Sequence, residues 1–168
     1  NSIAAALAPY PVEGCTVADF AANDIFCVAE PSGIGAPYFR KDLNLKFSAP
    51  VDHLSQQEQA CLLLEAIIFR VVRILEEFHR NLPINNVYLS GGLSELCSLQ
   101  QGIAQCVPFA VFRLQQRDAS LQGAALLAAG VKAAVHPDTF RIENDHENVA
   151  LYKKYLQWVR WLDGLLET

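Results

Sequence analysis

Val87-Tyr88-Leu89-Ser90-Gly91-Gly92-Leu93-Ser94 decides the reading of this chain. Three apolar or aromatic residues form a short strand that runs straight into a glycine pair, and the spacing beyond predicts a helix from Glu95 to Cys106. Glycines at a strand end let the backbone approach a ligand closely. The helix N-terminus that follows offers unpaired N–H groups and a partial positive charge to a phosphate. A tight strand-to-helix turn selects the same glycines, and for an isolated pair that structural reading carries more weight. The segment is neither a Gly-Lys-Ser/Thr phosphate loop nor a Gly-x-Gly-x-x-Gly fingerprint.

Downstream, Pro108 precedes a second strand, Phe109 to Leu114, and after the turn at 115–118 a small-residue helix is expected from Ala119 to Val135. The run Ser120 to Gly130 has small side chains on several faces, which suits packing against the glycine pair. A last helix, Asn148 to Leu166, is read with Val149, Tyr152, Leu156, Val159, Leu162 and Leu166 on its inner face. Upstream, Ser55 and Glu58 form a capping box for a long helix from Gln56 to His79, ended by Pro83. Its apolar stripe is wide enough to be covered on more than one side, with Glu65 and Arg73 placed off it. Before it come a short helix at Thr16 to Ala22, a strand at Asp24 to Ala29, and an ordered loop from Glu30 to Arg40. Two glycines and two prolines make that loop a rigid connection, with Tyr38 and Phe39 as packed anchors. The alternation of helices and strands gives an α/β fold class, strands flanked by helices, with a C-terminal helix.

At 168 residues and 18.5 kDa the chain has the length of one domain and can bury a core without staples. A formal net charge of −5 and a pI near 5.3 argue against nucleic-acid binding by counterion release. Arg40-Lys41 and Lys153-Lys154 are the only adjacent basic pairs of the sequence, and no longer basic run occurs. Five cysteines without a Cys-x-x-Cys read as reduced, mostly buried thiols of a cytoplasmic protein, neither a disulfide framework nor a zinc site. No apolar run is long enough for a membrane span. The hydrophobic share of 52% and mean hydropathy of +0.17 leave apolar surface for a partner. Asn1 at the start and the absence of methionine suggest a fragment, or a chain whose selenomethionines are missing from the written sequence.

Acid, base and nucleophile candidates are few. His53, His79, His136 and His146 have no metal-ligand spacing and read as solvated or capping residues, and Asp118 stands where a helix N-cap is expected. Trp158 and Trp161 fit a packed or partner-facing stripe.

Taken in order, Ser32-Gly-Ile-Gly-Ala-Pro-Tyr-Phe39, Leu64-Glu-Ala-Ile-Ile-Phe69, Ser90-Gly-Gly-Leu-Ser94 and Gly123-Ala-Ala-Leu-Leu-Ala-Ala-Gly130 resemble the C-terminal domain of the FGGY carbohydrate kinases, the group of glycerol kinase and xylulokinase. The resemblance implies an actin-like, ribonuclease H-like ATPase lobe. Residues 1–168 would then be a partial C-terminal, nucleotide-side domain whose N-terminal lobe, holding most of the sugar or polyol site, is absent. It implies ATP with Mg2+ as cofactors, with Gly91 and Gly92 as nucleotide contacts and Ser90 and Ser94 as weaker neighbours. No catalytic residue and no metal ligand carries over, because the family's proton-accepting carboxylate belongs upstream; the intact parent would be the enzyme and this piece inactive. Ser90 stands where the glycerol-kinase branch has Asp, Leu96 falls on a polar position, and Asp118 to Gln122 departs from the family's Glu-Thr-Thr run. These departures support an alternative, a noncatalytic binding or assembly module. The substrate and any homo-oligomeric state stay open.

Overall fold

The computed structural model describes residues 3, 7–116, 118–131, 138–143 and 149–168. Two short 3-10 turns form, Val12–Gly14 and Val17–Asp19, and the second stands in place of the expected helix at 16–22. Thr16 closes the second turn by donating both its N–H and its hydroxyl to Asp19 Oδ2 at 2.8 Å, local hydrogen bonds that compete with continued helix. The expected strand at 24–29 shrinks to β1, Cys27–Val28, which pairs antiparallel with β2, Lys46–Phe47. A polar setting hid β2 from the sequence.

Helix α1, Gln56–Asn81, begins on the expected capping box: the Ser55 side chain accepts from the Glu58 N–H and Glu58 Oε2 accepts from the Ser55 N–H at 2.8 Å. Leu82, extended before Pro83, closes its last turn. Every residue from Ala60 to Arg70 is buried, so α1 is the central rod of the core and the stripe is fully enclosed.

The second half holds a three-stranded sheet in the order β3-β4-β5. β3, Asn86–Leu89, runs parallel to β4, Ala110–Leu114, with Leu89 opposite Arg113. β5, Thr139–Arg141, joins antiparallel on the far side of β4 and has three exposed residues, too little apolar pattern to betray a strand. Helix α2, Cys97–Cys106, connects β3 to β4 and packs on α1, β4 and the last helix. Gly102 permits that approach, since a Cβ there would lie 2.5 Å from Ile68 Cδ1.

Two helices of the second half differ from expectation. Helix α3 spans only Ala119–Ala128, ending before Gly130 at φ 66°, and residues 132–135 of the expected helix lie outside those described. No described residue of α3 is buried, and a Cβ on Gly123 would meet nothing within 4 Å, so this helix does not pack on the glycine pair. The last helix, α4, is Val149–Leu166 as expected, but Val149, Tyr152 and Leu156 are exposed. Its inner stripe is Leu151, Tyr155, Trp158 and Leu162, set by the positions that reach α1 and α2. Trp158 Nε1 donates to the Cys27 carbonyl at 2.7 Å, which satisfies its one polar atom inside the core.

Candidate functional site

The glycine turn at the end of β3 is built as the sequence requires. Gly91 sits at φ 94°, ψ 171°, a conformation close to glycine's alone, and a Cβ there would meet nothing within 4 Å. Its requirement for glycine is therefore conformational, and the space before it is open. Ser90 and Gly92 are exposed. The helix does not start at Glu95: Gly92–Glu95 is a 3-10 turn, and α2 begins at Cys97.

Ser94 is buried, and its hydroxyl donates to the Gly91 carbonyl at 2.7 Å. That hydroxyl holds the turn. Buried Gln100 donates from Nε2 to the Ser94 carbonyl at 2.7 Å and braces the turn from α2; its only sequence signal was a polar residue in an apolar stripe. Leu96, on the position where the family has a polar residue, is half-buried against the core and gives α2 no side-chain cap.

Because β3 and β4 are parallel, the Ser90-Gly91-Gly92 turn and the residues after Leu114 leave the sheet along one edge, the carboxyl edge where open α/β sheets bind ligands. Beyond β4, Gln116, Asp118, Leu121, Gln122 and Ala125 line a shallow cavity of about 390 Å³ at the start of α3. Asp118 occupies the N-cap position, but its side chain makes no cap hydrogen bond.

The other glycine loop has a structural task. Ile34 and Arg40 exchange backbone hydrogen bonds at 2.9 and 3.0 Å, and Gly33, φ 94°, lies so close to the returning strand that a Cβ would be 2.6 Å from Lys41 Cα. Arg70, buried on α1, clamps the loop from inside. It binds Glu30 at 2.7 Å and the Ala36 carbonyl at 2.7 Å, and lies 5.2 Å over the Tyr38 ring. Tyr38 is an anchor as expected, whereas Phe39 points outward at 76% exposure because its φ of 52° turns it off the loop. Arg40 donates to the Leu166 carbonyl at 2.9 Å and pairs with Asp42, whose carboxyl it holds down to about 2.

Sequence reading placed Glu65 off the stripe, yet it is 3% exposed. It accepts from the Ala21 N–H and pairs with buried Lys154 at 2.5 Å. Burial pushes the Glu65 pKa up, and the lysine beside it opposes that rise. The pair of basic residues at 153–154 is thus no surface patch. His79, at the end of α1, accepts from the Ile84 N–H at 3.3 Å and its ring meets Phe109, a capping role as expected; His136 and His146 lie outside the described residues. Cys15, Cys27, Cys61 and Cys106 are buried and Cys97 is exposed. Among the described residues no group of three His, Cys, Asp or Glu side chains is placed to hold a metal ion. No helix of the described residues is long and apolar enough to cross a membrane.

A mixed three-stranded sheet flanked by helices, with a glycine turn at the carboxyl edge of a parallel pair, is an α/β arrangement of the ribonuclease H-like class. Within that class the model of the "FGGY family of carbohydrate kinases, C-terminal domain" matches residues 4–130, and the chain belongs to this family. The match takes in both glycine loops and ends at Gly130. Glycerol kinase of Trichormus variabilis is 28% identical over 106 residues, covering 62% of this chain and 21% of that protein. The solved "xyloylose kinase" of Brucella ovis superposes with a TM-score of 0.71 at 15% identity, over 96% of this chain and 38% of its own. Plasmodium falciparum glycerol kinase, solved with ADP, superposes with a TM-score of 0.65 at 16% identity, over 96% of this chain and 33% of its own. The chain thus spans about a fifth of the curated relative's length and about a third of each solved one.

Proposed function

We propose that residues 1–168 are the nucleotide-side part of a sugar or polyol kinase whose intact chain transfers the γ-phosphoryl group of Mg-ATP to a substrate hydroxyl. The observation that carries this reading is the open, glycine-only turn at Gly91, on the carboxyl edge of the sheet, inside the segment matched by the family. Exposed Ser90 and Gly92, with half-buried Gly91 between them, fit the contact with a nucleotide, and Ser94 keeps that turn in place. Magnesium would arrive with the nucleotide phosphates, and no ligand to it is assigned among the described residues. Phosphoryl transfer rests on positioning and charge stabilisation. The carboxylate that accepts the hydroxyl proton is placed in the preceding lobe, and this piece alone is inactive. The exposed apolar surface of α3, with Leu121 and Leu127, is the face we assign to that lobe.

Calorimetric titration of the intact parent chain with ATP and ADP in magnesium tests the reading. Binding is expected, and Gly91→Val should weaken it at least about tenfold, by straining the turn and filling the space before it. The alternative is a noncatalytic binding or assembly module. Leu96, half-buried against the core where a polar contact would be needed, favours it, and absence of nucleotide binding would establish it over the kinase reading.

A further inference from the structure

Cys15 and Cys61 are 46 residues apart in sequence and their sulfurs meet at 2.7 Å, the S–H of one hydrogen-bonded to the sulfur of the other. The 3-10 turn Val12–Gly14 delivers Cys15 onto the second turn of α1. Gln57, one turn before Cys61, points its amide at both thiols, with Nε2 3.4 Å from Cys15 Sγ and 3.7 Å from Cys61 Sγ. Gly14 fits beside that amide, where a Cβ would lie 3.0 Å from Gln57 Oε1.

Although both cysteines are buried, the pair is not sealed. Cys61, Gln57, Glu58, Asp19 and Asn23 line a cleft of about 280 Å³, so a small molecule can reach Cys61 without unfolding the chain. Loss of the Cys61 proton leaves a thiolate that accepts from Cys15 and from the Gln57 amide. These hydrogen bonds lower the Cys61 pKa, while Cys15, holding the shared proton in a buried place, is raised. The thiolate is the nucleophile in thiol oxidation. Among the described residues Cys27 and Cys106 have no such neighbour, and burial, with the nearby charges of Glu76 and Glu65 adding to it, pushes the Cys106 thiol up to about 12.

We propose that Cys15 and Cys61 are a reversible dithiol–disulfide site, oxidised by hydrogen peroxide that enters through this cleft. The Cys61 thiolate attacks the peroxide oxygen, the O–O bond breaks, and a sulfenic acid forms with release of water once the leaving oxygen is protonated. Cys15 sulfur then attacks the Cys61 sulfur. The S–O bond breaks, the S–S bond forms, and the Cys15 proton leaves with the hydroxyl as a second water. Two thiols are oxidised and one hydrogen peroxide is reduced to two waters. A thiol reductant reverses the bond by exchange. The crosslink fastens the segment of Val12 and Cys15 to α1.

The experiment uses the intact protein, reduced, dosed with hydrogen peroxide, quenched with an alkylating agent and mapped as peptides without reductant. A linked peptide carrying Cys15 and Cys61 should appear and vanish with dithiothreitol, about tenfold or more faster than Cys27 and Cys106 lose their thiols. In Cys15→Ser the reaction should stop at a sulfenic acid on Cys61 that dimedone traps. Oxidation of exposed Cys97 with Cys15 and Cys61 left as thiols would overturn the proposal. So would sulfinic acid on Cys61 without a linked peptide, or a linked peptide that forms only as fast as Cys27 and Cys106 react, since that rate would mark global opening. The wild-type map decides even where the serine variant folds poorly.

Discussion

Helices α1 and α3 are both rich in apolar residues, yet α1 is enclosed from Ala60 to Arg70 and α3 has no buried residue among those described. Apolar content does not decide burial; the faces available around a helix do. Around α1 stand β1, α2, α4 and the turn at Val12–Gly14, and even its charged Glu65 and Arg70 are drawn inside and given partners. The residues of α3 are exposed or half-buried, and Leu127 is 82% exposed. The two helices mark a self-contained helical half and a sheet half with an uncovered flank.

The sharpest way to break this contrast is at the buried ion pair. Lys154→Met should destabilise the chain by about 3–5 kcal/mol, because Glu65 would keep its burial and lose its counter-charge. Adding Glu65→Leu should return most of that loss, as read from denaturant midpoints at neutral pH. A neutral Lys154→Met would mean that Glu65 is hydrated, and that α1 is less enclosed than described.

Glycines give the second test. Gly33→Ala meets both a positive φ and a backbone contact at 2.6 Å, so its cost should exceed the roughly 1–3 kcal/mol of a strained backbone alone. Gly123→Ala, in the open face of α3, should stabilise by up to about 1 kcal/mol through helix propensity. Equal effects at the two sites would erase the distinction between the halves.

The smallest effect lies at the surface. Asp42 should titrate near 2 in a carboxyl-resolved pH series, against an ordinary value of 3.8, because Arg40 holds it ionised. Since the folded value is the lower one, the unfolded chain binds more protons in this window. The pair's contribution is full above about 4 and is lost as pH falls through about 2. Asp42→Asn should flatten that part of the stability curve; an unchanged curve would detach Arg40 from Asp42.

Much of this arrangement was legible in the sequence, for local reasons. The capping box at Ser55 and Glu58 marked the start of α1, and Val87-Tyr88-Leu89 with its glycines marked β3 and its turn, because those signals are made by neighbours along the chain. β2 and β5 were not legible, since two and three residues in polar company carry no period and exist only through their partner strands. The inner face of α4 was misread for a related reason: two apolar stripes compete on that helix, and only the positions of α1 and α2 choose between them. At the candidate site Gly91 was legible from its conformation, while the work of Ser94 and Gln100 was not, because it consists of hydrogen bonds to backbone carbonyls.

The hydrogen bond from Trp158 to the Cys27 carbonyl has a spectroscopic consequence. Both tryptophans of the chain stand on α4, Trp158 buried and Trp161 half-buried 5.9 Å from the Phe26 ring. Their emission therefore reports on the helical half, and fraying of β3 to β5 or α3 would leave it almost unchanged. Tyr88, stacked on Phe112 in the sheet half, is the chromophore to follow there, and a disagreement between the two signals during unfolding would reveal halves that melt separately.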